Sequence, residues 1–188
     1  SSDVCSSDLF DFRHKPSPEL FDSLFELLKL SFPAYEYRPC DLLKEMLNWP
    51  TFSIYAEHDG DHAKALMFSH DLGGMRFIEN FCVQPELRGA GYGGHMFDAF
   101  IASEPTPVVF EVEPPTDDLT RRRIAFYKRH NMLFDDRNYI MPPLGPGLSP
   151  LRLHLMSDAP LGDNFEAVRD AIYRVAYRVE PEDVPSEV

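Results

Sequence analysis

Arg88-Gly89-Ala90-Gly91-Tyr92-Gly93-Gly94 is the stretch of this chain whose residue types point most directly to chemistry. Its glycines let backbone amides approach a ligand closely. A basic residue stands at its head, and His95-Met-Phe-Asp-Ala-Phe-Ile101 behind it reads as a helix. The first N–H groups of a helix lack intrahelical partners, and its dipole favours an anion there by about 0.3–1 kcal/mol. A compound carrying phosphates is therefore expected at this loop. Upstream, an apolar strand-like run over residues 75–83 ends at the turn signal Gln84-Pro85. Within it, Glu79 shares an alternating face with Phe81 and Val83. A carboxylate there suits a general base or the anchor of a cation, and Glu79 is the first candidate. Were the substrate a primary amine, with a pKa of about 10.4, its neutral nucleophilic form would cost roughly 4–5 kcal/mol to reach at pH 7. Glu111 and Glu113, which share a face on the next apolar run, are the runners-up, and an ordered water is a further alternative.

The glycines alone admit a rival. Gly89-x-Gly91-x-x-Gly94 also satisfies a dinucleotide-binding fingerprint, with Glu111 near the acidic position about 20 residues on. The context disfavours a dinucleotide-binding oxidoreductase. The residues from Gln84 to Arg88 separate strand from glycines, and an antiparallel-looking region precedes them. A phosphate-binding P-loop is excluded, because His95 follows Gly94 where Lys is needed.

Arg88-x-x-Gly91-x-Gly93 resembles the acetyl-CoA signature of the GNAT superfamily of N-acetyltransferases. Downstream, Ile124-Ala-Phe-Tyr127-Lys-Arg-His-Asn-Met-Leu-Phe134 resembles the second signature of that family, a helix carrying Phe-Tyr followed by a turn and an aromatic. The departure is Asn131-Met132-Leu133, where the family has Gly then Phe; Asn tolerates the left-handed conformation that ends a helix. The resemblance covers roughly residues 10–156. It implies a mixed α/β (α+β) fold: a central, mostly antiparallel mixed sheet flanked by helices, here with an extra C-terminal helix. It implies that Arg88, Gly89, Ala90, Gly91, Tyr92 and Gly93 hold the pyrophosphate of CoA. Backbone groups at Cys82 and Val83 would bind the pantetheine arm and polarise the thioester carbonyl. Tyr127 matches the tyrosine that protonates the leaving thiolate. The implied reaction is transfer of acetyl from acetyl-CoA, as co-substrate, to a primary amine by direct attack in a ternary complex. Neither a metal nor a covalent enzyme intermediate is implied. A non-catalytic acyl-CoA binding or sensing module on the same fold is the alternative; it would keep Arg88 and the glycines without needing Glu79 or Tyr127. The Cys82 side chain reads as a buried strand thiol, with no basic partner fixed beside it.

The remaining elements must position these groups. Ser17-Pro18-Glu19 starts a helix whose apolar face is Leu20, Leu24, Leu27, Leu28 and Phe32. A second helix spans residues 39–49, and Tyr35, Tyr37 and Arg38 lie in the loop between. Residues 51–57 and 63–70 read as a hairpin through His58-Asp59-Gly60-Asp61-His62, whose histidines are turn residues rather than an organised metal set. Residues 107–112 form a strand that follows the glycine-loop helix in parallel. Asp117 or Asp118 caps the next helix, where Arg121, Arg122 and Arg123 read as a solvated face. Residues 139–150 read as a loop, residues 151–156 as the final strand, and Asp163 or Asn164 starts a last helix through Val179.

Net charge is −13, with 44% apolar and 13% aromatic residues, in a chain of 188 residues. That composition belongs to a folded domain, argues against nucleic acid as partner, and is compatible with a cationic amine acceptor, small molecule or protein. No apolar run approaches the roughly 20 residues that cross a bilayer, so no membrane association is expected. Three cysteines without metal or pairing spacing suggest a reducing, cytoplasmic setting. A homodimer contact through the last helix is a further expectation. The organisation is read as residues 10–156 for the acetyltransferase-like domain, 157–179 for its helical extension and 180–188 for a disordered tail. Residues 1–9 read like the translation of a short-read sequencing adaptor, a non-native segment set aside from fold reasoning.

Overall fold

In the computed structural model, which describes residues 15–188 and the backbone of Phe10–Asp11, the expected elements appear in the expected order. The segment at 1–9 and residues 12–14 of the first strand lie outside the described residues. The strands are β1 (Phe10–Asp11), β2 (Phe52–Asp59), β3 (His62–Asp71), β4 (Arg76–Val83), β5 (Val108–Val112), β6 (Leu133–Met141) and β7 (Leu151–Ser157). The helices are α1 (Pro18–Ser31), α2 (Cys40–Met46), α3 (Tyr92–Ser103), α4 (Asp118–Arg129) and α5 (Phe165–Ile172). Among the described residues seven strands make one mixed sheet, ordered β1-β2-β3-β4-β5-β7-β6. β1 pairs antiparallel with β2, β4 pairs parallel with β5 across the α3 crossover, and β7 is antiparallel to both β5 and β6. An extra C-terminal helix follows the last strand.

The chain divides into two compact units. The first takes the described part of Ser1–Ser69 together with Asn80–Glu104. Its core is the predicted α1 face, with Leu20, Leu24, Leu27 and Leu28 buried against Leu43, Met46, Ile54, Leu66, Phe68 and Cys82. Ser17 caps α1 as the sequence predicts: its hydroxyl accepts the Leu20 N–H at 3.1 Å. Truncating Leu24 to Ala here would cost about 2–5 kcal/mol. α2 stops at Met46, short of the predicted 49, because the chain tightens: Asn48 and Trp49 N–H groups bond the carbonyls three residues back.

The second unit takes His70–Glu79 and Pro105–Val188. Phe77, Val109, Tyr139, Met141, Leu153, Leu155, Phe165, Ile172, Tyr173 and Ala176 form its core. Asp117 caps α4 in a reciprocal box with Thr120, and Asn131 takes the left-handed conformation at φ 63° after its end. β6 corrects the sequence reading. It runs from Leu133 to Met141, so Tyr139, Ile140 and Met141 are strand rather than loop, paired with Leu153, Arg152 and Leu151. A bulge between Asp135 and Tyr139 breaks the alternation that would have revealed it. The last helix is also shorter than predicted: α5 ends at Ile172 and Tyr173–Tyr177 continue as a π-helical turn that closes at Arg178, φ 57°. The tail over 180–188 follows directly. Pro181–Asp183 wind a 3-10 turn, Val184 packs against this core, and Glu180 pairs with Arg174 at 3.0 Å.

Candidate active site

Strand β4 supplies both units, its last residues to the first and Arg76–Glu79 to the second. In the first unit, Val83 is followed by a 3-10 turn at Pro85–Leu87 and then the glycine loop. Gly89 and Gly91 have φ of 82° and 81°, a region that disfavours any side chain. Gly91 is the N-cap of α3, and no side chain caps the helix. The helix begins at Tyr92 rather than at His95, taking Gly93 and Gly94 into its first turn. Glycine there lowers helix propensity by about 1 kcal/mol relative to Ala. A Cβ at Gly93 would stand 3.4 Å from Val83 Cγ2 and 3.7 Å from Phe81 Cζ, in ordinary van der Waals contact with both. The exposed loop from Arg88 to Gly91 thus leads into a helix start without a side-chain cap, which suits a phosphate-bearing ligand.

The side chains around this loop divide into struts and donors. Tyr92 turns its hydroxyl to the buried Glu57 carboxylate; burial first, then that bond, pushes the phenol well above its usual range. Arg88 folds back on the strand end, with Nε donating to the Val83 carbonyl at 2.9 Å and Nη2 to Ser31 Oγ at 3.3 Å. Cys82 points into the core, its Sγ 4.0 Å from the Leu27 carbonyl. Burial pushes its thiol up to about 12, against smaller lowering influences from Ser31 and Arg88. Its side chain is a core group, which leaves the backbone as its route to any ligand.

The second unit holds the carboxylates. Glu79 Oε2 lies 2.7 Å from His70 Nε2, and the two side chains are 4% and 0% exposed. Glu111 receives the Tyr177 hydroxyl at 2.8 and 2.7 Å from its two oxygens. Tyr139, fully buried beside Glu111, is held firmly as a phenol, by burial first and then by that carboxylate. Glu113 lies past the end of β5 in an ion pair with Arg123 at 2.5 Å, at the surface. Arg121 is likewise engaged, with Asp118 at 2.8 Å and the Pro115 carbonyl at 3.2 Å. Tyr127 is half-buried on α4, its ring 4.5 Å from that of Phe110 on β5 and 5.1 Å from Phe126. The predicted hairpin histidine His58 meets the Gly60 carbonyl at 2.7 Å, so its Nδ1 carries the proton. Among the described residues no group of three or more His, Cys, Asp or Glu is placed to hold a metal. No described helix is long and apolar enough to cross a membrane.

The three candidate carboxylates, ranked in the sequence only by strand and face, are distinct in structure by their partners. Glu79, its side chain 4% exposed, is bonded to an imidazole, while Glu111 is held by a phenol and Glu113 by a guanidinium. His70, Tyr139 and Tyr177 are the partners that sequence reasoning missed. Alternation along β3 was the available signal for His70; nothing local to Tyr177 marks it as a partner of a strand 66 residues away.

No family model matches the chain, and no curated protein sequence does. Solved structures do. The chain is similar to a putative acetyltransferase from the GNAT family of Bacteroides thetaiotaomicron, at 29% identity and a TM-score of 0.79, over 85% of this chain and 93% of that one. It shares its fold with Arabidopsis thaliana NAA60 in complex with acetyl-CoA, at 14% identity, TM-score 0.55, and coverage of 74% and 93%. It also shares it with the aminoglycoside 6'-N-acetyltransferase of Enterococcus faecium, at 18% identity, TM-score 0.55, and coverage of 82% and 99%. The chain has the GNAT fold, and the resemblance to GNAT acetyltransferases carried by its two motifs extends in structure over most of its length.

Proposed function

We propose that this protein transfers an acetyl group from acetyl-CoA to a primary amine by direct attack. The observation that carries the proposal is the glycine loop, left-handed at Gly89 and Gly91 and opening into a helix start that no side chain caps. Its amides from Arg88 to Gly93 take the pyrophosphate of the acyl donor, and the Val83 backbone takes the pantetheine arm. Acetyl-CoA supplies the thioester. The chain supplies the proton traffic. Glu79 accepts the proton of the ammonium, directly or through a water, so that the nitrogen lone pair is free to attack. Tyr127 donates its hydroxyl proton to the departing thiolate and is restored by the second proton that the nitrogen sheds as the tetrahedral adduct collapses to the amide; since a free thiol has a pKa of about 8.5, that help is worth less than the base's. The acid surplus of the chain fits a cationic acceptor, small molecule or protein.

Calorimetric titration with acetyl-CoA tests this, with NAD(H) and NADP(H) as comparators and Arg88→Ala as control. Micromolar acetyl-CoA binding that weakens in the variant, with no dinucleotide binding, is expected. Folded protein that ignores acetyl-CoA would end the proposal. Acetyl-CoA binding without thiol release in the presence of any amine would turn it toward a sensing module.

A further inference from the structure

β3 and β4 bring together a pair that the acyl-transfer reading does not itself require. His70 is fully buried on β3, and its Nε2 lies 2.7 Å from Oε2 of Glu79 on β4. The ring also lies 6.1 Å from that of Phe77, tilted by 32°, which limits its freedom to turn. An imidazole packed this way can carry one charge or none without leaving its place. We propose that His70 is a positioning residue for the base Glu79 and a switch upon it: neutral His70 holds the carboxylate ready to accept a proton, and protonated His70 withdraws it. This rests on the acetyltransferase reading and deepens it.

With neutral His70, the Nε2–H donates to Oε2 and fixes the plane of the carboxylate that is to accept the proton. With imidazolium, the same contact is an ion pair in a poorly solvated place. A neighbouring cation stabilises the charged carboxylate and so makes it a weaker base. The acid limb of the rate profile then reports the pair rather than a lone carboxylate. Activity is therefore present above the pH where the pair gains its proton and is lost below it. Other ionisable groups buried or half-buried in this unit include Glu111 on β5, Tyr139 on β6, Tyr173 and Tyr177 in the C-terminal turn, and Arg76 on β4. Tyr177 donates to Glu111, Tyr173 to the Ile140 carbonyl at 2.7 Å, and Arg76 to the Thr106 carbonyl at 3.2 and 3.1 Å. Tyr139 and Tyr173 are pushed up from the ordinary phenol range, chiefly by burial, and stay protonated through the pH range that matters.

The test compares wild type, His70→Gln, His70→Asn and Glu79→Gln. Thiol release from acetyl-CoA is followed from pH 5 to 9 with two probe amines, spermidine and a short peptide with a free N-terminal alanine. Using one amine across variants cancels its own ionisation. In parallel, nitrogen NMR of the histidine rings follows His70 through the same pH range without substrate. Gln places an amide donor near Nε2 but cannot become a cation. His70→Gln is expected to keep turnover within about fivefold at pH 8 and to move the acid limb down by a pH unit or more. His70→Asn, too short to reach, is expected to lose tenfold or more at every pH with acetyl-CoA affinity unchanged. In the NMR, Glu79→Gln is expected to lower the pH at which the His70 ring titrates. An acid limb at the same pH in wild type and His70→Gln would overturn the switch, as would a ring titration indifferent to Glu79→Gln. If either variant does not fold, the wild-type ring titration must still coincide with the wild-type acid limb, and a mismatch overturns the proposal. Loss of the acetyltransferase reading looks different: wild type would release no thiol with any amine, and the base role of Glu79 would fall with it.

Discussion

Tyr177 reaches Glu111 across 66 positions of sequence, its hydroxyl 2.8 and 2.7 Å from the two carboxylate oxygens. The reach depends on the π-helical turn at Tyr173–Tyr177, whose wider winding buries Tyr173, Ala176 and Tyr177 together. The same turn sends the Tyr173 hydroxyl to the Ile140 carbonyl. The C-terminal extension is therefore built into the core of its unit through phenols, in addition to its apolar face.

Replacing Tyr177 by Phe removes that donor and leaves a carboxylate beside the buried Tyr139 without it. A hydrogen bond to a charged group is worth about 1.5–3 kcal/mol. In a chain of this size that corresponds to a Tm lowered by roughly 3–12 °C. Calorimetric melting measures it. A variant melting within a degree of wild type would show that the contact carries no net stability.

Gly91→Ala forces a side chain onto a residue at φ 81°, a conformation costing about 1–2 kcal/mol for an L-residue. No atom lies within 4 Å of the added Cβ, so strain rather than collision is the cost. The helix start would shift to relieve it. Acetyl-CoA affinity is expected to fall tenfold or more, while the melting temperature changes by only a few degrees. Undiminished affinity in a folded Gly91→Ala protein would detach the loop from acetyl-CoA binding.

Tyr127→Phe keeps the ring packing against Phe110 and Phe126 and removes only the hydroxyl. Turnover is expected to drop by tens-fold, about 2 kcal/mol in barrier, with acetyl-CoA affinity and stability unchanged. Single-turnover kinetics isolates the chemical step. Turnover equal to wild type would take Tyr127 out of the mechanism.

With its thiol pushed up to about 12, Cys82 offers a thiolate fraction near one in ten thousand at pH 8. Half-buried Cys40 carries no such burial. Iodoacetamide at pH 8 is expected to label Cys40 well before Cys82, with Cys82 reacting once the protein is unfolded in urea. Peptide mass spectrometry reads both sites. Rapid labelling of Cys82 in folded protein would contradict its place in the core.

Much of the fold is legible because local signals agree with tertiary need. The Ser17 cap, the α1 face, the hairpin at Gly60 and the left-handed Asn131 each follow from short-range sterics and hydrogen bonding. Legibility fails where a local signal is interrupted. The polar run Asp135-Asp136-Arg137-Asn138 hides the second half of β6 because a bulge there shifts the alternation. It fails again at the C-terminus, where π winding replaces the 3.6-residue period that identifies a helix face.

The residues themselves determined the kinds of chemistry this protein can offer. A glycine loop before a helix can hold an anion because backbone freedom and the helix N-terminus are local properties. Carboxylates at alternating strand positions are candidate bases because alternation places them on one face. Tertiary structure alone decided how those carboxylates differ. Glu79 meets the ring of His70, Glu111 the phenol of Tyr177 and Glu113 the guanidinium of Arg123, each brought from another segment by packing. A carboxylate's readiness to take a proton depends on the burial and charge of its neighbours, and the sequence order of a single strand does not contain them.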